Sequence, residues 1–233
     1  MLKLLKKKIK NLLFNHGWVI KKIYKNKSYT NLSPHEDVLS QLHKSNGIIH
    51  MGAHRGTEAA VYDWFNKKTI WIEADPDIFI DLKINISQFI NQIAFNNVLY
   101  NEDNILIDFF ISNNDGASSS LFQFKKGSEK IKMVSKKKLK TISLDSLLKK
   151  NSVNVKEYNF WVIDLQGAEY LVLKGAKNSL KLCESILIEI SKEEYYLNGA
   201  KWEEIKNFLN ENMFFHKIEP NETHQDVLFT RKQ

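Results

Sequence analysis

Two short stretches carry the residue types that do chemistry. "IIHMGAHRGTEA" (Ile48–Ala59) is an apolar run into a glycine turn, with His50 before the turn and His54 inside it. "FWVIDLQGAEYLVLKGA" (Phe160–Ala176) places Asp164 directly after an apolar run, Gln166 and Gly167 in a turn, and Glu169 at the start of a helical pattern. Glu189 lies late in the next apolar run, "SILIEI". Carboxylates grouped at the ends of buried strands can act as a general base, ligate a metal, or accept hydrogen bonds from substrate hydroxyls. The two histidines admit a metal-binding, an acid–base or a turn-lining role. Their i, i+4 spacing brings side chains to one side only on a helix, and here they straddle a strand end and a turn. Turn lining is therefore the favoured reading, and no metal is expected.

Gly52 and Gly56 flank Ala53-His54-Arg55 between a strand and a helix. Small residues let the backbone approach a ligand, and a helix N-terminus offers unpaired N–H groups. A dinucleotide fingerprint needs glycines at the first, third and sixth positions. Counting from Gly52, those later positions hold His54 and Thr57, so the fingerprint fails. Gly52 and Gly56 do satisfy two of the three alternate-glycine positions common in adenosylmethionine sites. Glu73 ends the second strand-like run, "TIWIE", where a carboxylate would accept both hydroxyl protons of a ribose.

The elements that position these residues alternate between strand and helix, the pattern of an α/β sheet. Thr57 is expected to cap a helix that buries Ala60, Val61, Trp64 and Phe65. Asp75-Pro76 supplies an N-cap and a proline at the first helical position, and Phe79, Leu82 and Ile86 give the following helix its buried stripe. A third strand is expected over Asn91–Phe95. "NVLYNEDNILIDFFIS" reads as a hairpin turning at Asn101–Asn104. The polar "NNDGASSS", a lysine-rich segment and "TISLDSLL", strand then helix, come next. Later come a strand at Phe160–Ile163, a helix at Ala168–Lys174 capped by Gly175, a strand at Ser185–Ile190, a helix at Trp202–Leu209, and a closing antiparallel pair.

The 233 residues, 43% of them hydrophobic, are enough for a sizeable core and argue against disorder. One cysteine excludes an internal disulfide and fits a reducing, cytoplasmic compartment. The net charge of +7 is concentrated in residues 1–30, which hold nine lysines and no acid. The remainder is close to neutral, which disfavours a nucleic-acid partner. Residues 1–32 are read as a basic amphipathic arm with Leu2, Leu5, Ile9, Leu12 and Leu13 at helical spacing, and residues 33–233 as the catalytic domain. An arm of this kind packs on its domain or, through residues 1–25, meets an anionic membrane surface.

The blocks "HMGAHRGTEA", "WIEADP", "FNNVLYNED", "NNDGASSSLF", "LDSLL", "VIDLQGAEYLVLKGA" and "ILIEIS", in that order, resemble the FkbM-type methyltransferases from Gly47 to the C-terminus. The resemblance implies a class I, Rossmann-like sheet of seven mostly parallel strands with the last antiparallel and helices on both faces. It also implies S-adenosylmethionine as cofactor and O-methylation of a hydroxyl on a sugar, glycan or small natural product. Gly52, Ala53, His54 and Gly56 would line the methionine end. Glu73, with Ala74 beside it, would take the ribose, and Asn97 would lie near the adenine. Ser118, Ser119 and Ser120 would border the substrate side with Asp164 and Gln166. His50 stands where such motifs often carry an acid, so it either weakens a contact to the cofactor's amino group or passes it to another residue. Asp164 is the favoured base, with Glu169 and Glu189 as alternates. The rival readings are a nucleic-acid methyltransferase and a non-catalytic membrane or glycan-complex partner that keeps the fold.

Overall fold

The computed structural model describes residues 33–125 and 130–232; the expected basic arm, residues 1–32, lies outside the described residues. Helix α1 (Ser33–Lys44) leads into β1 (Gly47–Met51), an interior strand of the main sheet that is buried at every position. The chain continues through α2 (Ala59–Trp64), β2 (Lys68–Glu73), α3 (Pro76–Ile86), β3 (Gln92–Asn96), β4 (Val98–Leu99), β5 (Leu106–Ser112) and β6 (Met133–Ile142). It then runs through α4 (Leu144–Lys150), β7 (Phe160–Ile163), α5 (Glu169–Lys174), β8 (Ser185–Ser191), α6 (Trp202–Glu211), β9 (Phe214–His216) and β10 (His224–Arg231).

Seven strands form one sheet in the order β3-β2-β1-β7-β8-β10-β9. β1, β2, β3, β7 and β8 pair in parallel, and β10, the last strand, runs antiparallel to both β8 and β9. This is the class I arrangement that the resemblance implies. Alternate residues of each strand feed two cores. Ile49, Met51, Ile70, Ile72, Trp161 and Ile163 face one side with α4, α5 and α6. Ile48, Trp71, Phe160 and Val162 face the other, with Tyr62 of α2 and Leu82 and Ile86 of α3.

Local chemistry fixes several boundaries. The Asp75 side chain accepts from the N–H of Asp77 and caps α3, with Pro76 at its first position. Ser143 caps α4 in the same way. Gly175 ends α5 at a negative φ, so its missing Cβ matters for space: a side chain there would overlap the Tyr100 carbonyl.

Three expectations are corrected. Thr57 does not cap α2; Glu58 occupies that position and the Thr57 hydroxyl donates to the Glu58 carboxylate. α2 buries Ala59 and Tyr62, whereas Val61 and Trp64 are exposed. Tyr62 wins because its hydroxyl bonds His50 Nδ1 at 3.1 Å, giving a large ring a satisfied polar end inside the core. The hairpin does not form either. β4 and β5 flank β6 in a separate three-stranded sheet, β4-β6-β5, and never pair with each other. The lysine-rich segment is that central strand. Lys136 and Lys138 pair with Asp108, while Lys137 points the other way to Asp75 and Asp77.

Trp71 is fully buried, stacks on His50 and Tyr62 with centroids 4.8 and 5.2 Å away, and donates to Gln92. Trp71→Ala should cost about 3–5 kcal/mol in urea unfolding. A cost below about 1 kcal/mol would show that this core is not organised around the ring.

Candidate functional site

The sheet changes winding direction at β1, which has β2 on one side and β7 on the other. In open α/β sheets the crevice beyond the carboxyl ends of such strands is where ligands bind. Here a cleft of ≈ 560 Å³ opens at that point. Its floor is the glycine turn after β1. The N–H groups of Gly52 and Ala53 both donate to the Ile72 carbonyl, at 3.0 and 3.1 Å, which folds the turn back against β2. Gly52 has φ 80°, and a Cβ on it would overlap the carbonyl of Asp164. The ends of β1 and β7 can therefore meet only with glycine at this position. His54 also has positive φ, at 46°, a conformation that histidine adopts more readily than most side chains.

Glu73 forms the β2 side of the cleft. Its Oε2 accepts from the N–H of His54 at 2.7 Å and its Oε1 from the N–H of Asp75 at 2.8 Å. Burial pushes its carboxyl up to about 7, against the pull of those two N–H groups. Each oxygen retains a lone pair for a further donor. Ala74, Asn97 and Leu99 continue the wall beside it, and Asp164 and Leu165 form the β7 side. Phe109 of β5 and Gly116, Ser119 and Leu121 of the loop after it form the remaining side.

Of the residues expected at the site, Gly52, His54, Glu73, Ala74, Asn97, Ser119 and Asp164 line this cleft. The others lie elsewhere. Ala53 is buried beneath the turn, and Gly56 packs against Leu82. His50 shares the face of Ile48 and turns into the core, between Tyr62 and Trp71; burial pushes its imidazole below the usual range. His54 points the other way, its Nε2 donating to the Asp115 carbonyl at 2.9 Å, so the two histidines do not converge. Among the described residues no group of three or more His, Cys, Asp or Glu side chains is placed to hold a metal ion.

Glu169 is withdrawn from the cleft. Its Oε1 accepts from the N–H groups of Leu165 and Gly167 at 2.9 and 3.0 Å, bracing the turn that carries Asp164. Burial raises this carboxyl to about 7. Ser118 and Ser120 also serve the framework. Ser118 Oγ accepts from Asn114, and Ser120 Oγ donates to the Gln166 carbonyl at 2.6 Å. Gln166 and Glu189 stand behind Asp164: the Gln166 Nε2 donates to Asp164 Oδ1 at 2.5 Å and to Glu189 Oε2 at 2.8 Å. Burial and the neighbouring Asp164 push Glu189 up to about 9.

Sequence reasoning missed two contributors. Arg55, inside the glycine turn, binds Asp81 of α3 at 2.9 Å and reaches both carboxylate oxygens of Asp115, at 2.8 and 3.3 Å, on the loop above the cleft. Its place between His54 and Gly56 was a usable signal. Tyr196 donates to Gln166 Oε1 at 2.6 Å, and nothing in the spacing of the two residues announces that contact.

A family model described as the methyltransferase FkbM domain matches residues 50–215. No curated protein matches the sequence. Among solved structures, the chain is similar to magnesium protoporphyrin IX methyltransferase from Synechocystis PCC 6803 with bound SAM. That match has 6% identity, covers 91% of this chain and 87% of the other, and has a TM-score of 0.46. The methyltransferase domain of bacterial CtHen1 is 9% identical over 87% of this chain and 98% of its own, with a TM-score of 0.48. Precorrin-6y C5,15-methyltransferase from Geobacter metallireducens GS-15 is 8% identical over 92% and 94%, with a TM-score of 0.46.

The contact between Gly52 and the Asp164 carbonyl makes a direct test. Gly52→Ala must part β1 from β7 and adopt an unfavourable φ, so it should lower stability by at least about 1 kcal/mol. A thermal midpoint equal to that of the parent protein would contradict the close approach.

Proposed function

Since this chain belongs to the FkbM methyltransferase family, whose members use S-adenosylmethionine, we propose that it methylates a hydroxyl oxygen on a sugar, glycan or small natural product. The observation that carries this reading is the meeting of Glu73 and Asp164 across one cleft. The residues present fit the cofactor. Gly52 and His54 line the part of the cleft where the methionine end would lie, Glu73 has lone pairs for two ribose hydroxyls, and Asn97, Leu99 and Phe109 line a place for adenine. When bound, S-adenosylmethionine supplies an electrophilic methyl group.

The chain's own residues then have two tasks. The cleft walls hold donor and acceptor close and aligned, which removes much of the entropic barrier. Asp164 accepts the proton that a hydroxyl loses as its oxygen forms the new bond, a contribution of about 10²–10⁴-fold. That need for a base favours an oxygen acceptor. A nucleic-acid acceptor is disfavoured because the chain beyond residues 1–30 holds 25 basic and 27 acidic side chains and is close to neutral. The sugar or glycan class rests on the family resemblance.

Two measurements test the reading. Glu73→Gln turns an amide N–H toward a backbone N–H and removes an acceptor, so calorimetry should show cofactor affinity falling at least about tenfold. In the parent protein the carboxylate is the form that accepts both hydroxyls. Affinity should therefore weaken as pH falls below about 7, and a flat profile from pH 8 to 5.5 would remove Glu73 from the ribose. Asp164→Asn should bind the cofactor within about twofold of the parent while labelled-methyl transfer to a panel of hydroxyl acceptors falls about 10²–10⁴-fold. Unchanged transfer would exclude Asp164 as the base.

A further inference from the structure

Behind Asp164 lies a connected set of side chains from three separate parts of the chain. Gln166, in the turn after β7, has φ 52°, and its amide is held at both ends. The Tyr196 hydroxyl donates to its oxygen at 2.6 Å, which leaves the two amide hydrogens for Asp164 and Glu189. Tyr196 is itself fixed. It is buried, its ring lies over Gly167, and it packs against Phe124 and Tyr195. The Ser120 hydroxyl anchors the Gln166 backbone from the side of the small sheet.

Two carboxylates drawn to one amide nitrogen repel strongly when both are charged, and a shared proton relieves that repulsion. We propose that Tyr196 is a positioning residue for methyl transfer: acting through Gln166, it holds Asp164 and Glu189 as a pair with one proton, kept on Glu189, so that Asp164 meets the acceptor as the ionised partner. This rests on the reading of Asp164 as the base. The step balances: the acceptor oxygen gains the methyl, the old carbon–sulfur bond leaves its electron pair on sulfur, and the hydroxyl proton passes to Asp164. Glu189 keeps its proton throughout. Among the described residues, the charged and titratable groups acting on Glu189 are Asp164 from the end of β7, Glu169 from α5, Asp226 from β10 and the Tyr196 hydroxyl. Burial and these acids both hold the Glu189 carboxyl up, to about 9.

The test reads the pair directly in the ligand-free, full-length protein, so it does not depend on the acceptor. Carbon-13 labelling of glutamate carboxyl groups, with Glu189→Gln used to assign the resonance, should show Glu189 titrating well above pH 7. Tyr196→Phe keeps the ring contacts but frees the Gln166 amide, so the pair parts and the Glu189 midpoint should fall by at least about one pH unit, a tenfold change in its proton affinity. Asp164→Asn, which removes the neighbouring charge, should also lower the midpoint should Tyr196→Phe fold poorly. A structural role for Tyr196 would lower the melting temperature and leave the midpoint in place, which overturns the proposal, as does a Glu189 resonance titrating near its ordinary value.

Thermal stability offers a second readout. The folded pKa of Glu189 lies above its unfolded value, so its stabilising contribution is full below about pH 4.5 and is lost as pH rises through about 9. The melting temperature of the parent should fall more steeply over that window than that of Glu189→Gln, and equal slopes count against the pair. Loss of transfer in Asp164→Asn decides the base; the Glu189 midpoint decides the pair, so the two readings can fail separately.

Discussion

The ends of β1 and β7 approach until the backbone of Gly52 lies against the Asp164 carbonyl, and most of the site depends on that contact. It is reinforced by the Asp164 N–H, which donates to the Met51 carbonyl at 3.0 Å and extends the β1–β7 ladder past its last paired residues. The glycine turn must then bend away at once. It does so by giving two N–H groups to Ile72, which swings His54 under Glu73. One steric allowance thus fixes the floor of the cleft, the seat of the Glu73 carboxylate and the position of the proposed base. A side chain at residue 52 would disturb all three.

Two buried acids and one half-buried acid surround this point, and each is held differently. Glu73 and Glu169 are each met by backbone N–H groups, which offset part of the cost of burying a charge. Glu189 is met by the Gln166 amide and by neighbouring acids, and its pKa is displaced furthest. The same residue type is therefore placed as the proposed ribose acceptor, as turn brace and as the proposed proton holder according to the donors that the turn supplies. Function here is set by local hydrogen-bond supply more than by residue identity.

How much of this was legible in the sequence follows from the range of each interaction. Buried parallel strands are apolar runs ending in chemistry, so Ile48–Met51, Thr69–Glu73 and Phe160–Asp164 stood out. Asp75-Pro76 announced a helix start because capping is local. The direction of a side chain at a strand end was harder. His50 has a chemical side chain but shares its strand face with Ile48, which sends it into the core. Glu169 looked like a base because its type allows it, and the two N–H groups that occupy it belong to a turn whose shape the sequence does not state. β6 separates β4 from β5 although some 20 residues lie between the end of β5 and its start; non-local pairing of that kind leaves no periodic mark. Tyr196 reaches Gln166 across 30 residues and left none either.

The small sheet shares no strand ladder with the large one. It is fastened by side chains, Lys137 to Asp75 and Asp77, Ser120 to Gln166, and Arg55 to Asp115 on the loop that follows β5, and by backbone N–H groups: Asn97 to Glu73, Lys125 to Tyr195 and Leu197 to Gln123. Phe109, Gly116, Ser119 and Leu121 nonetheless form one wall of the cleft. The two halves of the cavity are thus built on separate strand ladders, joined through loops, side chains and the shared core at Leu99. Descendants of such a chain can redraw the wall above while the floor, with its single permitted glycine, stays as it is. Divergence of what is modified, under constancy of what is donated, is written into the connectivity.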